Sequence, residues 1–312
     1  MSTVMQDLRY AVRRLRQSPG FTLVCVITLA LGIGANTAIF TLIDAVMLKS
    51  LPVASPKQLY RLGNNNNCCE WGGFQDNWAI YSYSLYEQFR DHTPEFSEMA
   101  AFQGGVPRLS VRRSGAAGPA EPYVGEFVSG NYFSMFGISA FAGRVITPED
   151  DKANAAPVVV MSYRTWQQHF GLDPSVIGAT LTINTVPYTV AGIAPPGFFG
   201  DSLRPDPPDF WLPLATEPAL NGQNSILHRV DSHWLYIIGR LKPGALPASV
   251  QSEVTVELQR WLNAQPGLTA HDRSELSKQH IILAPGGGGI ANLQSDTSRV
   301  CASSCRLPGW CS

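Results

Sequence analysis

The residues of this sequence whose types could support hydrolysis lie in one stretch, and they are Ser225, His228, Asp231, Ser232 and His233. A hydrolytic triad needs a serine, a histidine that takes its proton and a carboxylate that orients the histidine, and all three types are present. The signatures G-x-S-x-G and H-E-x-x-H do not occur in the sequence. The stretch is more typical of polar residues in a turn before a strand, so we expect no enzyme, and a periplasmic hydrolase stays an alternative hypothesis.

The sequence has no pattern for phosphate or metal binding. Gly286–Gly289 is followed by Ile290, and the Gly-Lys pair that ends a phosphate-binding loop occurs nowhere in the chain. We predict that this glycine run is a linker. The spacing of Cys301, Cys305 and Cys311 lacks a nearby histidine and does not fit the usual zinc sites. We therefore expect no cofactor and no metal, and any ATP hydrolysis must come from another polypeptide.

Two further clusters of reactive side chains have structural explanations. The adjacent Cys68 and Cys69 can form a vicinal disulfide, stay reduced or cross-link two chains in an oxidising compartment, and we favour a disulfide or a loop staple. The three acidic residues Glu149–Asp151 follow Thr147-Pro148. They predict a helix start or a solvated turn rather than a pair of catalytic carboxylates.

Aromatic residues gather around an asparagine-rich loop, and they are Trp71, Phe74, Trp78, Tyr81, Tyr83 and Tyr86. Aromatic side chains supply large contact areas, so such a loop can bind a substrate or a partner protein. Trp71 and Phe74 are the first candidates for this contact. The alternative is that the cluster packs the core of the first subdomain.

The first 50 residues differ from the rest of the chain. They carry five basic and two acidic side chains, against 18 and 22 in the remainder, and this balance excludes a globally basic nucleic-acid binder. The stretch 17–43 has no charged residue, and as a helix it exceeds the roughly 30 Å of a bilayer core. We predict a cytoplasmic amphipathic helix over 1–19 that contacts membrane lipid, and a transmembrane helix over 20–50. A cleaved signal peptide is the alternative.

Small residues recur every fourth position within the predicted membrane helix. Ala30, Gly34 and Ala38 form a stripe that would let a second helix approach closely. The sequence therefore predicts helix packing at this stripe. The alternative is that small residues are simply common in membrane helices.

The body after residue 50 has an α+β pattern. Apolar residues at helical spacing predict helices over Ser82–Asp91 and Ser249–Leu262, and a hairpin is predicted across Asn184–Pro187. The Pro-rich stretch Ala194–Pro213 is predicted to be an ordered connection or an edge strand. Strand–helix–strand units flank a middle segment, which indicates a lobe inserted at about Ser129–Asn224.

Long blocks of the chain resemble a known family, and they are FTLVCVITLALGIGANTAIFTLIDAVMLKSL (Phe21–Leu51), VSGNYFSMFGISAFAGRVITPEDD (Val128–Asp151), MSYRTWQQHFGLDPSVIGATLTINTVPYTVAGIAPPGFF (Met161–Phe199), DFWLPL (Asp209–Leu214) and IGRLKPGA (Ile238–Ala245). They are similar to MacB/FtsX-type ABC transporter permeases, in particular the acidobacterial branch. The resemblance covers residues 5 to 290.

This resemblance implies one N-terminal membrane helix and a two-lobed extracytoplasmic domain. A porter-like βαβ subdomain would comprise 51–128 and 225–290, and a sabre-like subdomain over 129–224 would be inserted in it. The family implies a separate ABC ATPase subunit, a second permease chain in a dimer, and no bond chemistry by any side chain. It implies a bacterial inner-membrane location with a cytoplasmic N-terminus and a periplasmic main domain, in which movement of the membrane helices serves export. A single-span binding or sensory module that works without ATP is the alternative.

The C-terminal part departs from the family. After Asn292 no apolar run approaches 18 residues, whereas the family continues with three more membrane helices. We expect an unstructured, frameshifted tail over 291–312. A frameshift or truncation is the simplest explanation, and a genuine single-span relative is the alternative. Sequence patterns of three membrane helices in another reading frame after codon 298 would support a frameshift or truncation.

Overall fold

The computed structural model describes residues 10, 13, 16–43, 53, 55–64, 70–72, 74–75, 77–115, 118–202 and 204–287. Side chains of 38–43 and 70–71 are not described. Cys68, Cys69, the predicted tail over 291–312 and most of the predicted helix over 1–19 lie outside the described residues. The chain divides into two units, residues 1–49 and 50–312.

The first unit contains one long helix, α1, over Pro19–Ile43. It begins with proline at its first position, where the missing N–H costs no hydrogen bond. Large apolar side chains on all sides are exposed, and the hydroxyl of Thr28 donates to the carbonyl of Val24. Its length and composition suffice to cross a membrane, and a signal sequence near an N-terminus would share these properties.

The second unit, the body, mixes strands and helices. Its strands are β1 (Leu59–Leu62), β2 (Glu70–Trp71), β3 (Phe96–Gln103), β4 (Arg108–Arg113), β5 (Glu121–Val128), β6 (Ala142–Gly143), β7 (Val158–Met161), β8 (Thr180–Ile183), β9 (Val186–Ile193), β10 (Phe210–Pro213), β11 (Ser232–His233), β12 (Leu235–Leu241) and β13 (Leu283–Pro285). Its helices are α2 (Tyr83–His92), α3 (Tyr132–Phe136), α4 (Tyr163–His169), α5 (Glu217–Asn221), α6 (Pro247–Asn263) and α7 (Ala270–Glu275). The predicted α+β class with an N-terminal apolar helix is confirmed.

Six strands close on themselves in a ring. The order is β4, β5, β10, β7, β9 and β8, and β8 pairs with β4 again. Pairs β5–β10 and β7–β9 are parallel, and the other four pairs are antiparallel. A closed ring leaves none of these strands as an unpaired edge. We call these strands the six-strand ring. Strands β4 and β5 belong to this ring although they precede residue 129, where the inserted lobe is predicted to begin. The lobe boundaries at 129 and 224 stay a prediction.

The same sheet continues from β5 through its pairing with β3 into four antiparallel strands in the order β3, β12, β1 and β13, which we call the four-strand sheet. Its side chains alternate between two cores, as the period of two in a strand requires. Met99 and Ile237 pack in one core with residues of α2 and α6, whereas Phe102 and Tyr236 pack in the other with residues of α3. Both faces of the sheet are therefore covered.

The prediction for the Pro-rich stretch is wrong at its C-terminal end. Residues 210–213 form β10, which lies between β5 and β7 instead of at an edge. Pro207 and Pro208 precede the strand and Pro213 ends it, so Phe210–Leu212 keep all their N–H donors. Proline therefore limits the length of this strand without excluding it from a central position.

Candidate functional site

The side chains predicted for hydrolysis do not assemble into a triad. The Ser225 hydroxyl donates to the Glu217 carboxylate at 2.5 Å, and Asp231 pairs with Arg229 at 2.9 Å. Burial lowers the pKa of His233 to about 4, although the charge of Asp231 acts in the opposite sense. Among the described residues, His233 Nδ1 has no hydrogen-bond partner. The arrangement does not support a hydrolase, because no serine hydroxyl in the described part of this stretch is hydrogen-bonded to a histidine.

The structure places Phe74 and His233 together in a shallow groove with a volume of about 270 Å³. The groove is lined by Gly72, Phe74, Val230, Asp231, His233, Trp261, Leu262, Gln265, Pro266, Gly267, Leu268 and Asp272. Trp71 belongs to the neighbouring strand β2, but its side chain lies outside the described part. The contact role of Trp71 and Phe74 stays a prediction.

Most of the other aromatic residues near the asparagine-rich loop belong to the core. Trp78, Tyr81 and Tyr86 are fully buried, and Tyr83 is half-buried. The Tyr83 ring also meets the ring of His228 edge-on, with centroids 6.0 Å apart. The packing alternative therefore describes these four residues, whereas Phe74 faces the groove.

The small-residue stripe lies on an exposed helix surface. Ala30 and Gly34 are exposed in α1, and a Cβ atom built on Gly34 would meet nothing within 4 Å. Ala38 belongs to the same helix, but its side chain is not described. Packing of a second helix at this stripe stays a prediction.

The two ends of the described body meet at one side of the four-strand sheet. We call Ser55–Gln58 the neck, since it joins the region after α1 to β1. The Gly286 N–H donates to the Leu59 carbonyl at 2.7 Å, and a Cβ atom on Gly287 would overlap with the Pro56 carbonyl oxygen. The segments that lead into and out of the body are therefore neighbours.

A cleft of about 520 Å³ separates α2 and β3 from the turn after β6. It is lined by Tyr83, Tyr86, Arg90, Phe96, Ser97, Glu98, Met99, Gly130, Asn131, Pro148, Asp151 and Lys152. Its cations are paired, because Arg90 contacts Asp91 at 2.8 Å and Lys152 contacts Glu149 at 2.5 Å. The side chains that line the cleft come from the helical side of the four-strand sheet, from the segment after β5 and from the turn after β6.

Comparison with known proteins identifies the family. The sequence pattern described as MacB-like periplasmic core domain matches residues 22–256, which is more than half of the chain. The chain belongs to this family. No curated protein matches the sequence. This family match confirms the resemblance to MacB-type permeases. The body is therefore the periplasmic domain of an ABC transporter permease, and permeases of this class work with an ATPase partner. Together with the apolar helix α1, the family indicates a membrane-anchored domain outside the cytoplasm.

Three solved structures are similar to this chain. A domain of a protein described as a permease, from Porphyromonas gingivalis, is 15% identical with a TM-score of 0.50, covering 78% of this chain and 98% of that one. The extracellular domain of the noncanonic ABC-type transporter YknZ from Gram-positive bacteria is 12% identical, with a TM-score of 0.46 and coverage of 66% and 96%. The periplasmic region of MacB from Actinobacillus actinomycetemcomitans is 12% identical, with a TM-score of 0.47 and coverage of 82% and 96%.

The MacB-like body contains a half-buried carboxylate at the cleft, Asp151, that sequence reasoning missed. Asp151 accepts hydrogen bonds from the Gly130 N–H at 2.9 Å and from the Ala215 N–H at 2.7 Å. A Cβ atom on Gly130 would lie 2.8 Å from the Asp151 Cβ, so the glycine allows this close approach. Burial raises the pKa of Asp151 to about 6, although the two N–H groups and the charge of Arg90 act in the opposite sense. The turn expected at Glu149–Asp151 is present, and within it Asp151 is half-buried.

Replacing Asp151 by asparagine should remove a pH dependence of stability. The folded protein holds this proton more tightly than the unfolded chain, so its contribution is present below about pH 4 and is lost as the pH rises through about 6. The unfolding free energy of wild type minus that of D151N should fall by about 2–3 kcal/mol between pH 4 and 7. Urea unfolding of the full chain in detergent measures this difference. A difference independent of pH would contradict the raised pKa.

A second unpredicted feature is an ion cluster between β5, β10 and the Pro-rich connection, in which the carboxylates are fully buried and the arginine is largely buried. Arg204 contacts Glu126 at 3.0 Å and Asp201 at 3.2 Å. Trp211 donates to Glu126 at 3.0 Å, and the Tyr132 hydroxyl donates to Asp201 at 2.9 Å. Burial and the carboxylate of Asp201 raise the pKa of Glu126 well above its usual range, while Arg204 acts in the opposite sense. The cluster fixes the connection before β10 to the six-strand ring.

Proposed function

We propose that the chain is the membrane-anchored, non-catalytic periplasmic core of an ABC permease, which couples ATP-driven movement of membrane helices to export or to the handling of a periplasmic substrate. The ATPase is a separate subunit, and the N-terminus lies in the cytoplasm. The proposed subdomains are porter-like at 51–128 and 225–290 and sabre-like at 129–224.

The observation that supports coupling is the contact between the two ends of the body. The neck and Gly287 lie side by side, and β1 pairs on one edge with β12 and on the other with β13. Because β1 follows the neck directly, a displacement of the neck acts on a strand that is hydrogen-bonded on both edges. This arrangement suits transmission of movement into the four-strand sheet better than it suits a domain on a loose tether.

Two experiments on the full chain in bacterial membranes test the proposal. Protease added outside spheroplasts should cleave the body, and a body that stays intact there but is lost on lysis would contradict the topology.

Purification of the detergent-solubilised chain should also retain an ATPase subunit, identified by mass spectrometry and by ATP hydrolysis. Loss of every ATPase, together with binding of a specific soluble ligand, would instead favour a single-span sensory module, for which the groove at Phe74 and His233 is the candidate site.

Replacing Gly34 by leucine should weaken the proposed permease dimer. A leucine at the centre of the Ala30–Ala38 stripe would prevent close approach of a second α1 helix. We expect chemical cross-linking of the full chain in membranes to give several-fold less dimer for G34L. Leu29→Ala, on the same helix and outside the stripe, is the control. Equal dimer yields for the two variants would contradict packing at the stripe.

A further inference from the structure

One side chain of β12 contacts both the neck and helix α3. Arg240 donates from Nη1 to the Ser55 carbonyl at 3.2 Å and from Nη2 to the Met135 carbonyl at 2.6 Å. Its own backbone pairs with Leu59 of β1 on one side and with Glu98 of β3 on the other. Three separate parts of the body therefore meet at one guanidinium group.

One carbonyl group lies at the end of a helix and the other directly before a short 3-10 helix, Pro56–Gln58. Met135 is in the last turn of α3, which is followed by Gly137 in the left-handed conformation with φ 70°. The last carbonyls of a helix have no partner within the helix, so a cation is favourable there. Ser55 also has left-handed backbone angles, φ 46° and ψ 60°, which are uncommon for a residue other than glycine. The arginine therefore adds a hydrogen bond to a carbonyl at each of these two points.

Helix α3 is also fixed to the four-strand sheet at other points. The Asn131 side chain donates to the Met99 carbonyl at 2.8 Å, and the Ser134 hydroxyl donates to Glu98 at 2.7 Å. Phe133 of α3 then packs against Trp211 of β10, a member of the six-strand ring. A shift of α3 is thus passed on by packing to the ring.

We propose that Arg240 is a positioning residue that ties the neck to α3, so that movement of the neck shifts α3 and, through it, the six-strand ring. The inference rests on the proposed coupling function. Arginine suits this role because its planar fork carries several donors that can reach two carbonyls at once, whereas lysine offers a single ammonium group. None of the ion pairs formed by the described residues includes Arg240. Its charge is directed to backbone carbonyls.

Amide hydrogen exchange of the full chain in detergent tests the link. R240M should speed exchange of the Gln58 amide, which donates to Ser55, and of the Ile138 amide, which donates to Phe133 at the end of α3, by about tenfold each. R240K should give nearly the same increase, since it keeps the charge without the fork. R108M removes an exposed arginine whose partner Asp206 is also exposed, and should leave both amides unchanged.

A perturbation of the neck separates coupling from a purely local effect. Pro56→Gly loosens the neck and should speed exchange of the Ile138 amide several-fold in the wild-type background but not in the R240M background. An equal effect of Pro56→Gly in both backgrounds, or no effect of R240M on Ile138, would overturn the proposal. These measurements need neither ATP nor a partner, so failure to find an ATPase would reject the proposed function without deciding the role of Arg240.

Discussion

Replacing Arg204 by methionine should lower the free energy of unfolding by about 3–5 kcal/mol, because the change leaves buried carboxylates without their cation. The side chains of Arg204, Glu126 and Asp201 are 8%, 0% and 1% exposed. Water therefore cannot replace the guanidinium group without opening the core. Urea unfolding of the full chain in detergent measures the loss.

Arg108 provides the matched control, since it and its partner Asp206 are 66% and 62% exposed. R108M should cost less than about 1 kcal/mol, as exposed ion pairs usually do. Similar losses for R204M and R108M would contradict a special role for burial.

The loss in R204M should also depend on pH. Burial already raises the pKa of Glu126, so the folded state holds this proton more tightly than the unfolded chain does, and removing Arg204 strengthens this effect. The stability linked to that proton is present at low pH and is lost as the pH rises towards the folded-state pKa. R204M should therefore be less destabilised at pH 5 than at pH 8. Adding E126Q should restore part of the stability at pH 8, and no restoration would place the defect elsewhere.

Replacing Phe133 by alanine should cost about 3–5 kcal/mol, the range observed when a buried aromatic residue is truncated. Phe133 is 0% exposed, and its ring centroid lies 5.7 Å from that of Trp211 and 5.9 Å from that of Phe198. The cavity would separate α3 from β10 and the Pro-rich connection. Urea unfolding gives the loss, and hydrogen exchange at the Ile138 amide reports whether α3 loosens first.

Phe199 is the control for this substitution because it adjoins Phe198 in the chain but is 49% exposed. F199A should cost less than about 1 kcal/mol, since little packing is lost when a half-exposed ring is removed. A loss in F133A as small as that in F199A would show that the core relaxes around the missing ring.

Local signals predicted individual elements well. Ser82 caps α2 by accepting from the Leu85 N–H, and Leu85 and Phe89 form the buried face that the helical spacing indicated. The predicted hairpin corresponds to β8 and β9. These features depend on residues within a few positions of one another, so their causes are visible in the sequence.

Features that depend on distant residues could not be predicted. Trp211 and Glu126 are 85 positions apart, and Tyr132 and Asp201 are 69 apart, yet they meet in one buried cluster. Phe74 and His233 are likewise separate candidates in the sequence, because nothing in their spacing shows that they share a groove. Asp151 resembled a solvated turn residue because neither of its two backbone partners is marked by a side chain.

The neighbouring positions of Pro56 and Gly287 also bear on how this domain can be moved between proteins. A unit whose ends lie side by side can replace a short surface loop of a host protein with little strain, and its ends can be joined while new ones are opened elsewhere. Grafting residues 56–287 into such a loop, or circularising them, should therefore preserve the packing of the four-strand sheet. The geometry of its two ends therefore allows the body to be transferred between proteins as an intact unit.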